Sequence, residues 1–170
     1  MNKTQEAIEQ IKNGDWEEHN PESFNKSLSN SKHPSMLTQY SNEELSDMKL
    51  FKVKGKNIGF ALKKKDGVHS EIVAVHNNEP GVSGIGDHLI QSAVKNGGLY
   101  GDHFDGYLTD LYRRNGFYTY KVDKFDPQYD EGGKFEAKYG RKDVHYVVHK
   151  NAFSEEQNKL MGAISQLGKV

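Results

Sequence analysis

The sequence predicts an α/β chain of the α+β kind, with a mixed, mostly antiparallel central sheet flanked by helices. Three observations predict it. Residues 50–54, 58–63 and 69–76 are short apolar runs separated by the turn residues Gly55-Lys56-Asn57 and Asp66-Gly67, the pattern of a strand meander. Beyond them helical and strand patterns alternate: helix 84–96, strand 99–104, helix 106–115 and strands 118–125 and 144–150. Ahead of them, residues 1–49 carry helical spacing and no strand signal.

In chain order, Thr4 is placed to cap a helix over 4–13 whose Ala7, Ile8 and Ile11 share one face. Residues 18–40, rich in Ser and Asn with Pro21 and Pro34, read as a long loop holding a short helix at 23–28. Ser41-Asn42-Glu43-Glu44 is a capping-box pattern that starts a helix running to Met48. The third run, HSEIVAVH, has a nearly continuous apolar centre, so it is expected to be the most buried strand of the meander. Gly97-Gly98 stops the next helix, residues 126–142 read as a polar loop, and Ser154 opens a C-terminal helix with Leu160, Met161, Ile164 and Leu167 on one side. No repeat or low-complexity segment interrupts this order. The expectation is one domain over 1–150, with its core at 50–150 and a helical segment at 1–49. Residues 151–170 form a helix packed on it or on a partner.

Composition removes several function classes. The chain of 170 residues has no cysteine, which excludes disulfides, thiol nucleophiles and cysteine-based zinc sites. A net charge of −1 gives no global attraction to nucleic acid or anionic membrane. No apolar run approaches the roughly 20 residues of a membrane span, and the first residues, MNKTQEAIEQIKNGDW, lack a signal-peptide core. Cytoplasmic location is the expectation, with no membrane partner.

The chemistry concentrates in residues 84–117. Gly84-Ile85-Gly86 precedes a helix, where a backbone can approach an anion closely and free N–H groups can receive it. The same glycines equally suit a tight turn. Leu111-Tyr112-Arg113-Arg114-Asn115-Gly116-Phe117 puts a tyrosine on a second helix four residues before a capping glycine. Between them, Gly101-Asp102-His103-Phe104-Asp105-Gly106 is a polar strand end, in which His103 suits a general base better than a metal ligand.

The meander, the Gly84-Ile85-Gly86-Asp87-His88-Leu89 loop and the Leu-Tyr…Gly-Phe ending together resemble the GNAT (Gcn5-related N-acetyltransferase) superfamily over about residues 50–150. The HFDG and FDPQYD segments also resemble acetyltransferase-like proteins of bacteriophages, whose setting would be the host cytoplasm. The resemblance implies an acyl-CoA N-acyltransferase fold, acetyl-CoA as cofactor and direct acetyl transfer to an amine-bearing small molecule or protein. It places the pyrophosphate on Val82, Ser83, Gly84, Ile85, Gly86 and Asp87, and the pantetheine arm along Val73 and Val75. Tyr112 takes the position of the acid that protonates the leaving thiolate, and Glu71 that of the carboxylate accepting the amine proton.

The chain departs from that pattern at several places, among them Gly81, Asp105, a phosphate loop about one residue longer and a more polar strand end at Gly101–Gly106. Gly81 stands where the family usually has Gln or Arg, and Asp105 where many members have Asn; near an amine, Asp105 or His103 would serve as a local acceptor. No metal is implied. Two other readings stay open: a catalytically inactive binding or inhibitory protein of the same fold, and a nucleic-acid-modifying relative, for which Arg113-Arg114 or Lys63-Lys64-Lys65 would be the contacts. A monomer or homodimer fits all three.

Overall fold

The protein's structure, a computed structural model, describes residues 2–29 and 39–167. The chain divides into two compact units, Met1–Gly98 and Leu99–Val170.

The first unit builds a three-stranded antiparallel sheet from β1 (Lys49–Lys52), β2 (Ile58–Lys64) and β3 (Ser70–Asn77), in the order β1-β2-β3. This is the expected meander, but its most buried strand is β2. The run Ile58-Gly59-Phe60-Ala61-Leu62 is buried throughout, whereas β3 is mostly half-buried. β2 is hydrogen-bonded along both edges within the unit, and consecutive residues of its apolar run are buried, so both of its faces are covered there. β3 also carries a bulge: Gly59 pairs with His76 and Ala61 with Val73, so one β2 residue faces two on β3. Ala74 sits at the bulge with φ 55°, a left-handed conformation costly for a residue with a Cβ.

Helices α1 (Lys3–Asn13), α2 (Pro21–Ser29), α3 (Asn42–Ser46) and α4 (Gly86–Lys95) complete this unit. Asn2, two residues earlier than expected, caps α1: its side chain accepts the Gln5 N–H. Thr4 instead turns its hydroxyl to the Gly81 carbonyl, 3.4 Å away. α2 is longer than the short helix foreseen at 23–28, because Pro21 fits the first helical position and Asn20 accepts the Ser23 N–H. Residues 30–38 of the expected loop lie outside the described residues. The Ser41–Glu44 capping box forms as read, with both reciprocal bonds at 3.0 Å. Phe24 and Leu28 of α2 and Leu45 of α3 are buried with Met48 and Ala61, and Val73 and Ala74 pack against this cluster. At about 1.5–3 kcal/mol per buried large side chain, it anchors the helices on the sheet.

The second unit has the antiparallel order β4-β6-β5, from β4 (Gly98–Phe104, starting at the unit boundary), β5 (Phe117–Asp123) and β6 (Val144–His149). α5 (Tyr107–Arg114) connects β4 to β5, and α7 (Glu155–Leu167) follows β6. The stretch read as a polar loop contains α6 (Lys134–Tyr139). Asp130 caps it by accepting the Phe135 and Glu136 N–H groups at 2.8 and 2.9 Å. Helices placed before and after an antiparallel meander in the first unit, and interleaved with antiparallel strands in the second, realise the α+β class.

Candidate functional site

In the first unit the predicted anion loop precedes a ten-residue helix, and no side chain caps that helix at Ile85. Gly84 has φ 69°, and a Cβ there would meet nothing within 4 Å. Glycine is required at 84 by backbone conformation, with open space above it. Part of the loop's donor set is already engaged. The Val82 N–H bonds the Glu79 carbonyl at 3.3 Å and the Ser83 N–H the Thr4 hydroxyl at 3.4 Å. Val82 and Ile85 bury their side chains in the core, and Asp87 places an acid in the first turn of α4, where it complements the helix dipole and opposes a bound anion. Gly81 has φ 80°, and a Cβ there would lie 3.2 Å from Lys3 Cδ and 3.9 Å from Lys3 Nζ. The position lacking a cation in the sequence therefore has one beside it, brought by α1 from 78 residues upstream.

On β3, Val73 pairs with Ala61 and turns to the buried cluster, while Val75 falls at the bulge outside the regular register. Glu71 stands directly opposite Lys63 on β2, a cross-strand arrangement of opposite charges of the kind that stabilises a sheet.

The second unit gathers three of the four predicted catalytic residues. β4 and β6 pair His103 with His145 and Gly101 with Val147. His103 is 5% exposed and lies between two parallel rings: Tyr112 of α5 at 5.1 Å and 8°, and His145 at 5.4 Å and 4°. Tyr112, 3% exposed, also meets Phe117 edge-on at 5.0 Å. Its hydroxyl lies 3.5 Å from where a Gly101 Cβ would stand, an ordinary van der Waals distance, so the ring packs directly over β4 at that glycine.

The protons of this stack can be assigned. A carbonyl only accepts, so the 2.9 Å contact between His103 Nδ1 and the Phe104 carbonyl fixes the proton on Nδ1. The Nε2 lone pair is buried and has no hydrogen-bond partner among the described residues. Burial pushes the His103 pKa below the usual histidine range, against the opposing effect of its bond to Phe104, so the ring is neutral at pH 7. Asp105 reaches the stack from its far side, 3.5 Å from His145 Nε2, and its other role is local. It accepts the Thr109 hydroxyl at 3.0 Å while that oxygen accepts the Gly106 N–H at 3.2 Å, which starts α5.

His145, 42 residues from His103, is the participant sequence reasoning did not assign to this group; only the β4–β6 register reveals it. Asp123, Asp126 and Asp130 are engaged elsewhere. Asp123 accepts the Tyr146 hydroxyl, which with burial pushes that phenol up to about 12, and the other two cap helical turns. Among the described residues no group of three His, Asp or Glu side chains is arranged to hold a metal ion, and no helix is long and apolar enough to cross a membrane. No family model matches the chain, and neither a curated protein nor a solved structure does.

Proposed function

We propose that the protein is an N-acetyltransferase that moves an acetyl group directly from acetyl-CoA to an amine. One observation carries the reading: a neutral histidine, its tautomer fixed by a backbone carbonyl, holds a buried lone pair without a donor beside a tyrosine. A general base needs that state, because the attacking nitrogen must shed a proton for the amide to form. His103 Nε2 takes the proton from the amine nitrogen as that nitrogen bonds to the thioester carbonyl carbon. The carbon–sulfur bond then breaks, and the Tyr112 hydroxyl protonates the departing thiolate. The products are the amide and free CoA. His145 and Asp105 hold the base, and Glu71, paired across the sheet with Lys63, is left outside the chemistry.

The order of elements agrees with the GNAT resemblance: meander, glycine loop, helix, strand, helix and two closing strands. Taken by itself, the first unit offers a phosphate group the uncapped start of α4 and the Lys3 ammonium beside Gly81. It fits less well at Asp87 and at the two engaged N–H groups. Those features, with the deep burial of Tyr112, favour a second reading, a binding protein of similar build without catalysis.

Calorimetry with acetyl-CoA, followed by thiol release with a panel of primary amines, separates the two. Saturable binding with amine-dependent CoA release supports the enzyme. Absence of binding at millimolar acetyl-CoA removes it. Binding without turnover, unchanged by Tyr112→Phe, supports the binding protein.

A further inference from the structure

Within the second unit, the C-terminal end of α5 and the end of β6 enclose a cavity of about 640 Å³. Arg113, Arg114 and Lys150 line it together with Tyr118, His149 and Gln166, and no carboxylate is among its described lining residues. In a chain whose net charge is −1, three cations around one concavity are a local departure from the whole.

The convergence is built by the backbone. The Lys150 N–H bonds the Gly116 carbonyl at 2.9 Å, tying the end of β6 to the turn after α5. His149 is held at both ring nitrogens: Nδ1 accepts the Asn151 N–H at 3.0 Å, and the ring also bonds the backbone of Asn115. Gly116, at φ 91°, completes the floor. A Cβ there would stand 2.9 Å from His149 Nε2 and 3.4 Å from Lys150 Cε, so only glycine lets these side chains lie across the turn. Arg113 also has Asp110 at 3.6 Å, but that pair is solvent-exposed and holds the guanidinium weakly.

We infer that this cavity is a binding site for the phosphate or pyrophosphate group of a small phosphorylated molecule. Arginine matches phosphate oxygens with two parallel donors, and lysine adds a point charge. The volume lies in the range of small-ligand pockets, about 300–1,000 Å³, which suits a nucleotide-sized compound better than a polymer. The site is independent of the acetyl-transfer reading, because none of its three cations has a role there.

The experiment is amide NMR titration of the full chain with inorganic pyrophosphate, then ATP, then a short single-stranded DNA, at low and at physiological salt. The expected result is saturable shifts at Gly116, Lys150 and Asn151 with pyrophosphate and with ATP, weakening as salt rises. Arg114→Gln and Lys150→Gln, both on exposed side chains, should each weaken pyrophosphate binding about tenfold with melting temperature unchanged. Shifts at Gly84–Asp87 alone would move the phosphate site to the α4 loop and overturn the cavity assignment without touching the acetyl-transfer reading. DNA binding that outcompetes ATP would replace the small ligand with a nucleic acid. Absence of any shift at 10-fold excess over millimolar protein would end the proposal.

Discussion

His76 in the first unit and His103 in the second are built alike up to one atom. Both are about 5% exposed, and both give the Nδ1 proton to a nearby backbone carbonyl: Ala74 at 2.8 Å for His76, Phe104 at 2.9 Å for His103. In both, burial lowers the pKa. The difference lies at Nε2. In His76 it meets the buried Ser27 hydroxyl at 2.8 Å, and in His103 it has no hydrogen-bond partner among the described residues. A satisfied buried histidine stabilises; His76 ties down the strained Ala74 carbonyl at the β3 bulge and links β3 to α2. An unsatisfied one costs about 1–3 kcal/mol, which is retained where the free lone pair has work to do.

The largest expected effect breaks the comparison at His103. His103→Phe keeps an aromatic ring in the stack and removes both the orphan acceptor and the Nδ1–H bond to Phe104, so the two effects offset and stability should stay within about 1 kcal/mol of the parent. Amine-dependent CoA release should fall about 100- to 10,000-fold. Denaturation and turnover are read on the same preparation. Retained turnover would reassign the base, and a loss of stability beyond about 1 kcal/mol would make His103 a structural residue like His76.

Next comes acid. The His76 pKa is lowered from 6.5 to about 4, by burial first and by the nearby Lys52 charge, against the bond to Ala74. The unfolded chain therefore takes up a proton that the folded chain refuses between these values. Stability from this group is complete above pH 6.5, falls with pH, and is gone near pH 4, a loss of roughly 3 kcal/mol. Urea unfolding at pH 7 and at pH 4.5, in the parent and in His76→Asn, isolates this share. Equal pH slopes in the two proteins would sink it.

Ser27→Ala should turn His76 into a copy of His103. It leaves a buried acceptor without a donor and should cost about 1–3 kcal/mol. A loss below about 0.5 kcal/mol at pH 7 would show that the bond contributes little and that the two histidines differ less than their contacts indicate.

How far the sequence reached this contrast depends on separation along the chain. His103, Asp105 and Tyr112 lie within ten residues, so a strand followed by a helix brings them together under any reasonable register. The strands were legible because their apolar runs are short and bounded by turn residues. His145 joins His103 only through the β4–β6 ladder, and Ser27 reaches His76 across 49 residues. Lys3 covers Gly81 from a helix whose spacing predicts burial of Ala7 and Ile11 and nothing about where its first turn lands. α6 was hidden because FEAKY is brief and sits among glycines and charges; its cap, Asp130, is five residues ahead of the amide it meets.

The smallest effect expected is one that leaves the protein intact. Long-range nitrogen–proton NMR correlations report which imidazole nitrogen carries the proton, and both His76 and His103 should show it on Nδ1. Addition of a primary amine together with a non-hydrolysable acetyl-CoA analogue should then move the Nε2 resonance of His103 toward that of a hydrogen-bonded acceptor. The His76 resonance should stay where it was, since Ser27 already occupies its lone pair. A proton found on Nε2 of His103 would reverse the assignment drawn from the Phe104 contact and leave the ring a donor, unable to accept from an amine. Equal movement of both rings would point to a general change in the fold, and the contrast between a filled and an open acceptor would lose its chemical meaning.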